Sequence, residues 1–288
     1  MSQLHAPVLA WYQTHARSLP WREPSASAWG VLVSELMLQQ TPVVRVLPAY
    51  RQWMRTWPTA GHLAEASVGE AIRAWGRLGY PRRAVRLHRA ATVIVADHDG
   101  EVPSSLAELR ALPGVGEYTA AAVASFAFGQ RQLVLDTNVR RVLARAVAGV
   151  ELPARTVTSA ERELAGTLLP SDPATAAGWA VGVMELGALV CSAASPACGA
   201  CPITAQCRWR ELGYPAHDGP RRRAQTYAGT DRHARGALLG VLREAAEPVT
   251  RSRLDAAWTH HEQRERCLTS LLVDGLVVRL AHDRYSLP

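Results

Sequence analysis

Four of the chain's five cysteines, Cys191, Cys198, Cys201 and Cys207, fall within seventeen residues, separated by six, two and five residues. Thiolates wrapped this closely in one segment can supply every ligand of a [4Fe-4S] cube, because bridging sulfides let a compact loop reach all four irons. A four-cysteine zinc ribbon usually draws on two C-x2-C pairs about 15–20 residues apart, and only Cys198 and Cys201 form such a pair. The spacing therefore favours an iron–sulfur cluster, with zinc as the rival. Cys267 stands apart and reads as a small apolar residue.

The chain is long enough, at 288 residues, to bury a large core and to hold two domains or one with an appendage. A formal charge of +7 favours a polyanionic partner such as nucleic acid. All 32 basic side chains are arginine, so no side-chain amine is available for Schiff-base chemistry. Nothing at Met1–Trp21 resembles a signal peptide, and no apolar run approaches the roughly 18 residues of a membrane helix. The expected location is the cytoplasm, at the nucleoid, where thiols stay reduced and bind metal rather than each other.

Apolar residues recur at three- and four-residue spacing in Ala28–Leu38, Val43–Trp57, Ala84–Ala96, Tyr118–Phe128, Val139–Val147 and Ala176–Val190, which predicts helices. Ser67 with Glu70, Ser105 with Glu108 and Thr158 with Glu161 have the spacing of capping boxes. The stretch 214–233, rich in Pro, Gly and Arg, breaks the periodicity and reads as a linker. Beyond it, Arg235–Ala245, Arg251–Trp258 and Glu262–Asp274 look helical, and two short alternating segments follow from Gly275 and Arg284. Three helices and a hairpin make a winged-helix-like unit over 234–288.

Within Leu112-Pro-Gly-Val-Gly-Glu-Tyr-Thr, Gly114, Val115 and Gly116 permit a tight turn with exposed backbone N–H groups ahead of a helix N-terminus, where a phosphate fits. A plain helix–helix turn is the competing explanation. Asp136 opens another helix in Leu135-Asp-Thr-Asn-Val and is placed as its N-cap, a role that does not exclude catalysis. Glu35 lies in a helix apolar on almost every side; lost hydration disfavours its charged form and suits it to act as a general acid. A buried structural glutamate would look the same.

Ser34-Glu-Leu-Met-Leu-Gln-Gln-Thr, Leu78-Gly-Tyr, Leu112-Pro-Gly-Val-Gly, Leu135-Asp-Thr-Asn-Val and Glu185-Leu-Gly-Ala-Leu-Val-Cys191 with its cysteine spacing, in this order over about residues 9–213, together resemble the MutY adenine glycosylases of the helix-hairpin-helix base-excision superfamily. The resemblance implies an all-α, two-lobed glycosylase domain over 1–213, with a barrel lobe of about 25–130 and a cluster lobe of 1–24 with 131–213, the active site lying between the lobes. It implies a [4Fe-4S] cluster on the four cysteines and, as partner, double-stranded DNA in which adenine faces 8-oxoguanine or guanine, bound by a monomer. By position, Glu35 would protonate adenine N7 and Asp136 would stabilise the oxocarbenium-like sugar, as two carboxylates divide the work in glycosidases. Tyr118 and Asn138 would tune this centre. Arg17, Leu19, Trp21 and Glu185 would line the pocket for the extruded base, and Gln40, Thr41, Leu78 and Tyr80 would contact the opposing lesion. Endonuclease III, a relative in fold, uses a lysine where this chain has Tyr118, so the resemblance implies glycosylase activity without strand cleavage.

Three departures bear on this picture. Ser-Ala-Ala-Ser-Pro-Ala between Cys191 and Cys198 lacks the basic residues with which relatives touch the DNA backbone, leaving that work to Arg208, Arg210 and Arg221–Arg223. Pro81 replaces a second tyrosine, and the tail is too short for the larger domain that usually reads 8-oxoguanine. A thymine mismatch glycosylase on the same scaffold is one alternative; a non-enzymatic iron–sulfur DNA-binding regulator is another, which would leave Glu35 and Asp136 without a purpose.

Overall fold

The periodic apolar spacing is realised as helices in a computed structural model that describes residues 2–219 and 226–288. Arg221–Arg223, expected to grip the DNA backbone, lie outside the described residues. In chain order the helices are α1 (His5–His15), α2 (Ala28–Leu38), α3 (Val43–Thr56), α4 (Ala60–Glu65), α5 (Val68–Trp75), α6 (Arg82–Asp97), α7 (Leu106–Ala111), α8 (Glu117–Phe128), α9 (Thr137–Leu143), α10 (Ser159–Thr167), α11 (Pro173–Leu189), α12 (Arg208–Glu211), α13 (Asp231–Glu244), α14 (Arg251–Ala257) and α15 (His261–Val273). Among the described residues, strands are confined to β1 (Val249–Thr250), β2 (Val278–Leu280) and β3 (Arg284–Ser286). Helix ends follow local chemistry. Ser67 with Glu70 and Thr158 with Glu161 close complete capping boxes on α5 and α10. Asp136 caps α9, and Asp172 caps α11 with Pro173 behind it. The helix expected over Val139–Val147 instead ends at Leu143 and continues as a π-helical turn, Ala144–Ala148.

Two compact units divide the chain. The first takes Met1–Leu32, Ser104–Ala111 and Val115–Arg221. Val8, Val142, Leu143, Trp179, Val183, Leu186 and Ile203 form its core, with Cys191 and Cys201 packed against it; burying each large side chain contributes roughly 1.5–3 kcal/mol. In this unit α11 packs on both α1 and α9. Gly187 permits the second approach, since a Cβ there would lie 2.7 Å from the Asn138 Cβ.

The second unit takes Val33–Pro103, Leu112–Gly114 and Arg222–Pro288. Trp53 meets Trp57 and Trp75 edge-on, with ring centroids 4.6 and 5.8 Å apart, above buried Leu63, Ile72, Leu87 and Ile94. Its tail packs α13 on α14 and α15 beside an antiparallel sheet in the order β1-β3-β2, with Val249 opposite Tyr285 and Arg279 opposite Tyr285 on the other edge. The tail thus has three helices and three short strands, one strand more than the hairpin read from the sequence. The tail seats on α5: Arg73 donates to the carbonyls of Arg243 and Ala245 at 3.1 and 3.2 Å, and Arg243 donates to the carbonyl of Ile72 at 3.1 Å. A Cβ on Gly69 would come within 2.4 Å of the Pro288 carbonyl oxygen. Several arginines of the tail are held in ion pairs. Arg235 pairs with Asp274, Arg251 and Arg264 with Asp255, Arg266 with Asp231 and Arg279 with Asp283.

Candidate active site

Asp136 begins α9 and both its carboxylate oxygens are engaged. Oδ1 accepts from the Val139 N–H at 2.6 Å, and Oδ2 accepts from the Asn138 side-chain amide at 2.8 Å. Asn138 in turn accepts from Arg141 Nη2 at 2.8 Å; the same nitrogen donates to the Gly187 carbonyl at 2.7 Å, and Arg141 Nε donates to the Cys191 carbonyl at 2.7 Å. Burial raises the Asp136 pKa, and the hydrogen bonds from Val139 and Asn138 oppose that rise. The result is a carboxylate fixed in direction and short of water. Tyr118, on α8 in the same unit, packs against Ala121, Ala122, Val134 and Ala180.

Glu185 is fully buried on α11. Its Oε1 accepts from the backbone N–H of Arg17 at 3.0 Å and from Arg17 Nε at 2.7 Å, while Oε2 accepts from Arg17 Nη2 at 2.7 Å and Arg22 Nη1 at 2.8 Å. Burial alone would push its pKa up; the hydrogen bonds from Arg17 and the charge of Arg22 outweigh burial and hold the carboxyl at about 2. This anion anchors the segment Arg17–Arg22, in which Leu19 and Trp21 are buried. Arg22 was not among the residues expected here, although it directly follows Trp21.

Glu35 is 5% exposed on α2, beside fully buried Val33, Ser34 and Met37, as its apolar surroundings in the sequence predict. Gln40, Thr41, Leu78 and Tyr80 come together in two stitched loops. Thr41 Oγ1 donates to the Leu78 carbonyl at 3.3 Å, Arg45 donates to the Arg77 carbonyl, and Arg83 donates to the Gln39 carbonyl while its guanidinium lies 4.4 Å from the Tyr80 ring centroid. Gln40 and Tyr80 hold φ of +55° and +48°, a left-handed backbone that costs a non-glycine residue about 1–2 kcal/mol. Tyr80 is exposed and Leu78 is buried. Gly114, with φ of +85°, turns the chain between α7 and α8; a Cβ there would strike the Arg86 side chain at 2.8 Å. Gly116 is the N-cap of α8, followed by Glu117 in its first turn.

Cys191, Cys198, Cys201 and Cys207 all line one cavity with Arg145, Trp209 and Arg210. Arg145, on the π-helical turn, donates to Cys191 Sγ at 3.4 Å and to the carbonyls of Ser192 and Ala193 at 2.7 and 3.1 Å, and stacks 4.6 Å from the Trp209 ring centroid. Burial, reinforced by the other three sulfurs, pushes the Cys201 thiol up to about 11, so a metal bound there would displace its proton. Among the described residues no three His, Cys, Asp or Glu side chains converge on a position for one metal ion. The donor set, four thiols lining one cavity, is one that an iron–sulfur cluster or a tetrahedral zinc can use. Arg141 and Arg145 were missed in the sequence, yet they stand four residues apart in the apolar run Val139–Val147, where arginine is out of place.

Residues 33–165 match the HhH-GPD superfamily of base excision DNA repair proteins. The adenine DNA glycosylase of Mycobacterium tuberculosis is 55% identical over 283 residues, covering 98% of this chain and 92% of that protein. The chain belongs to the adenine DNA glycosylase family. Another adenine DNA glycosylase, from Mycolicibacterium smegmatis, is 52% identical over 100% of this chain and 97% of that protein, so the family likeness runs through the tail as well. The chain also superposes on a thermostable thymine-DNA glycosylase with a TM-score of 0.65 and 28% identity, covering 72% of this chain and 94% of that one. No helix among the described residues is long and apolar enough to cross a membrane.

Proposed function

We propose that this protein, as a monomer, removes adenine from duplex DNA in which it faces 8-oxoguanine or guanine, hydrolysing the N-glycosidic bond and leaving the strand intact. The observation that carries this reading is the 55% identity with an adenine DNA glycosylase along 98% of the chain. Glu35 donates its proton to N7 of the extruded adenine; the C1′–N9 bond breaks and its electron pair leaves with the base. The anionic Asp136, oriented by Val139 and Asn138, stabilises the positive charge left on the sugar. Water then adds at C1′ and its proton returns to Glu35. Glu185 contributes by orienting Arg17 and Arg22, and with Leu19 and Trp21 shapes the base pocket. The backbone N–H groups of Gly114, Val115 and Gly116 receive a phosphate. With no lysine in the chain, the abasic sugar meets no side-chain amine that could open it.

The four cysteines would hold a [4Fe-4S] cluster, and Arg145 would supply a charged hydrogen bond to one of its thiolates. When bound, such a group gives the loop its fold and takes no part in base release. Purified anaerobically, the protein is expected to contain iron and sulfide in equal amounts; stoichiometric zinc without iron would reassign the site.

Single-turnover release assays on duplexes with A opposite 8-oxoguanine, A opposite G and T opposite G test the reading. Adenine release from the first two, without strand cleavage before alkali, is expected. Thymine release alone would place the protein with the thymine glycosylases, and release of neither base would leave a DNA-binding regulator.

A further inference from the structure

We propose that Arg83 is the positioning residue that locks the loops at 39–41 and 76–80 into one lesion-reading surface. The inference rests on the reading above, in which Gln40, Thr41, Leu78 and Tyr80 meet the base opposite adenine. Each loop carries a non-glycine residue in the left-handed region, Gln40 and Tyr80, and such a backbone persists only where its surroundings over-determine it. Arg83 touches both loops at those points. Its Nη1 donates to the carbonyl of Gln39, the residue before Gln40, and its guanidinium covers the ring of Tyr80. The side chain is 7% exposed in the first turn of α6, so it is a fixed post rather than a mobile surface cation. Thr41 and Trp75 hold the same surface from other sides, through the carbonyls of Leu78 and Gly79, but neither reaches both strained residues. A planar guanidinium can stack on a ring and donate in its own plane at once, which an ammonium cannot. The arrangement therefore calls for arginine in particular.

Arg83→Met keeps the stem and removes both interactions. The expected result is a fall of about tenfold in the preference for A opposite 8-oxoguanine over A opposite G, carried mainly by slower release opposite 8-oxoguanine. Amide hydrogen exchange at Gln40, Thr41, Leu78 and Tyr80 should quicken in free protein. Arg83→Lys should recover only part of each effect, and it carries the same two readouts if the Met variant fails to fold. An unchanged preference overturns the proposal whatever the exchange does, as does unchanged exchange, or an equal loss on both duplexes. Wild-type protein that releases adenine from neither duplex removes the functional reading instead, and exchange alone then decides whether Arg83 locks the loops.

Discussion

Arg141 holds the backbone carbonyl of Cys191 from 2.7 Å, and its other arm reaches the Asn138 side chain. One guanidinium thus joins the start of the cysteine loop to the partner of Asp136. Arg141→Met would orphan the carbonyls of Cys191 and Gly187 and release Asn138. A loss of about 3 kcal/mol is expected, since hydrogen bonds to charged groups contribute about 1.5–3 kcal/mol each and not all of it is recoverable by water. Calorimetry should show a lower melting temperature, accompanied by slower adenine release; a melt within a degree of wild type would exclude this tie.

Asp136→Asn separates the cap from the charge. Asparagine caps helices about as well as aspartate, so α9 should survive, whereas losing the anion should slow release by about 10²–10³-fold. Because burial raises the folded pKa above the ordinary 3.8, the folded carboxyl holds its proton more tightly than the unfolded one. Its contribution to stability is greatest below pH 3.8 and is lost as pH rises through the folded value. The Asn variant turns an amide donor toward the Asn138 amide in place of Oδ2, so it should melt below wild type, and by less at pH 7 than in acid. A variant that is merely less stable, with normal turnover, would leave Asp136 only the cap.

Glu185→Gln should have the opposite pH signature. With the folded carboxyl held at about 2 against an ordinary 4.5, its contribution is present above pH 4.5 and disappears as pH falls toward 2. Removing the charge strands Arg17 and Arg22 beside a buried amide, at a cost of about 3–5 kcal/mol near neutrality. Denaturant melts at pH 7 and pH 3 should show that cost shrinking; a pH-independent penalty would mean that packing, not charge, is what Glu185 supplies.

Glu35→Gln keeps the shape and removes the carboxyl proposed to donate the proton. Release should fall by about 10²–10⁴-fold while duplex binding, measured by titration, stays within a few-fold. Turnover near wild type would take Glu35 out of the chemistry.

Local patterns carried much of this structure. The apolar spacing of Ala28–Leu38 and Tyr118–Phe128 and the hydroxyl–carboxylate pairs at Ser67 and Thr158 each answer to interactions within one turn, so they can be read from neighbours in sequence. Two-residue β1 has too little length to alternate. The inward-turned arginines were harder to see. Arg22, Arg83, Arg141 and Arg145 read as surface charges because arginine ordinarily is one, and the carbonyls, ring and carboxylate that satisfy them come from distant segments. The four cysteines were legible through spacing, but Arg145, which lines the same cavity, was not.

The seat of the tail on α5 has a consequence for the order in which the chain can fold. Arg73 finds its acceptors 170 and 172 residues downstream, and the space over Gly69 is filled by Leu287 and Pro288. Contacts of such separation form late and slowly, because a long loop must close first. As the chain emerges from the ribosome, α5 and its tryptophan-lined unit are therefore made long before the segment that covers them. That face is where a chaperone would find the nascent protein, and where translation halted before residue 243 would leave it exposed.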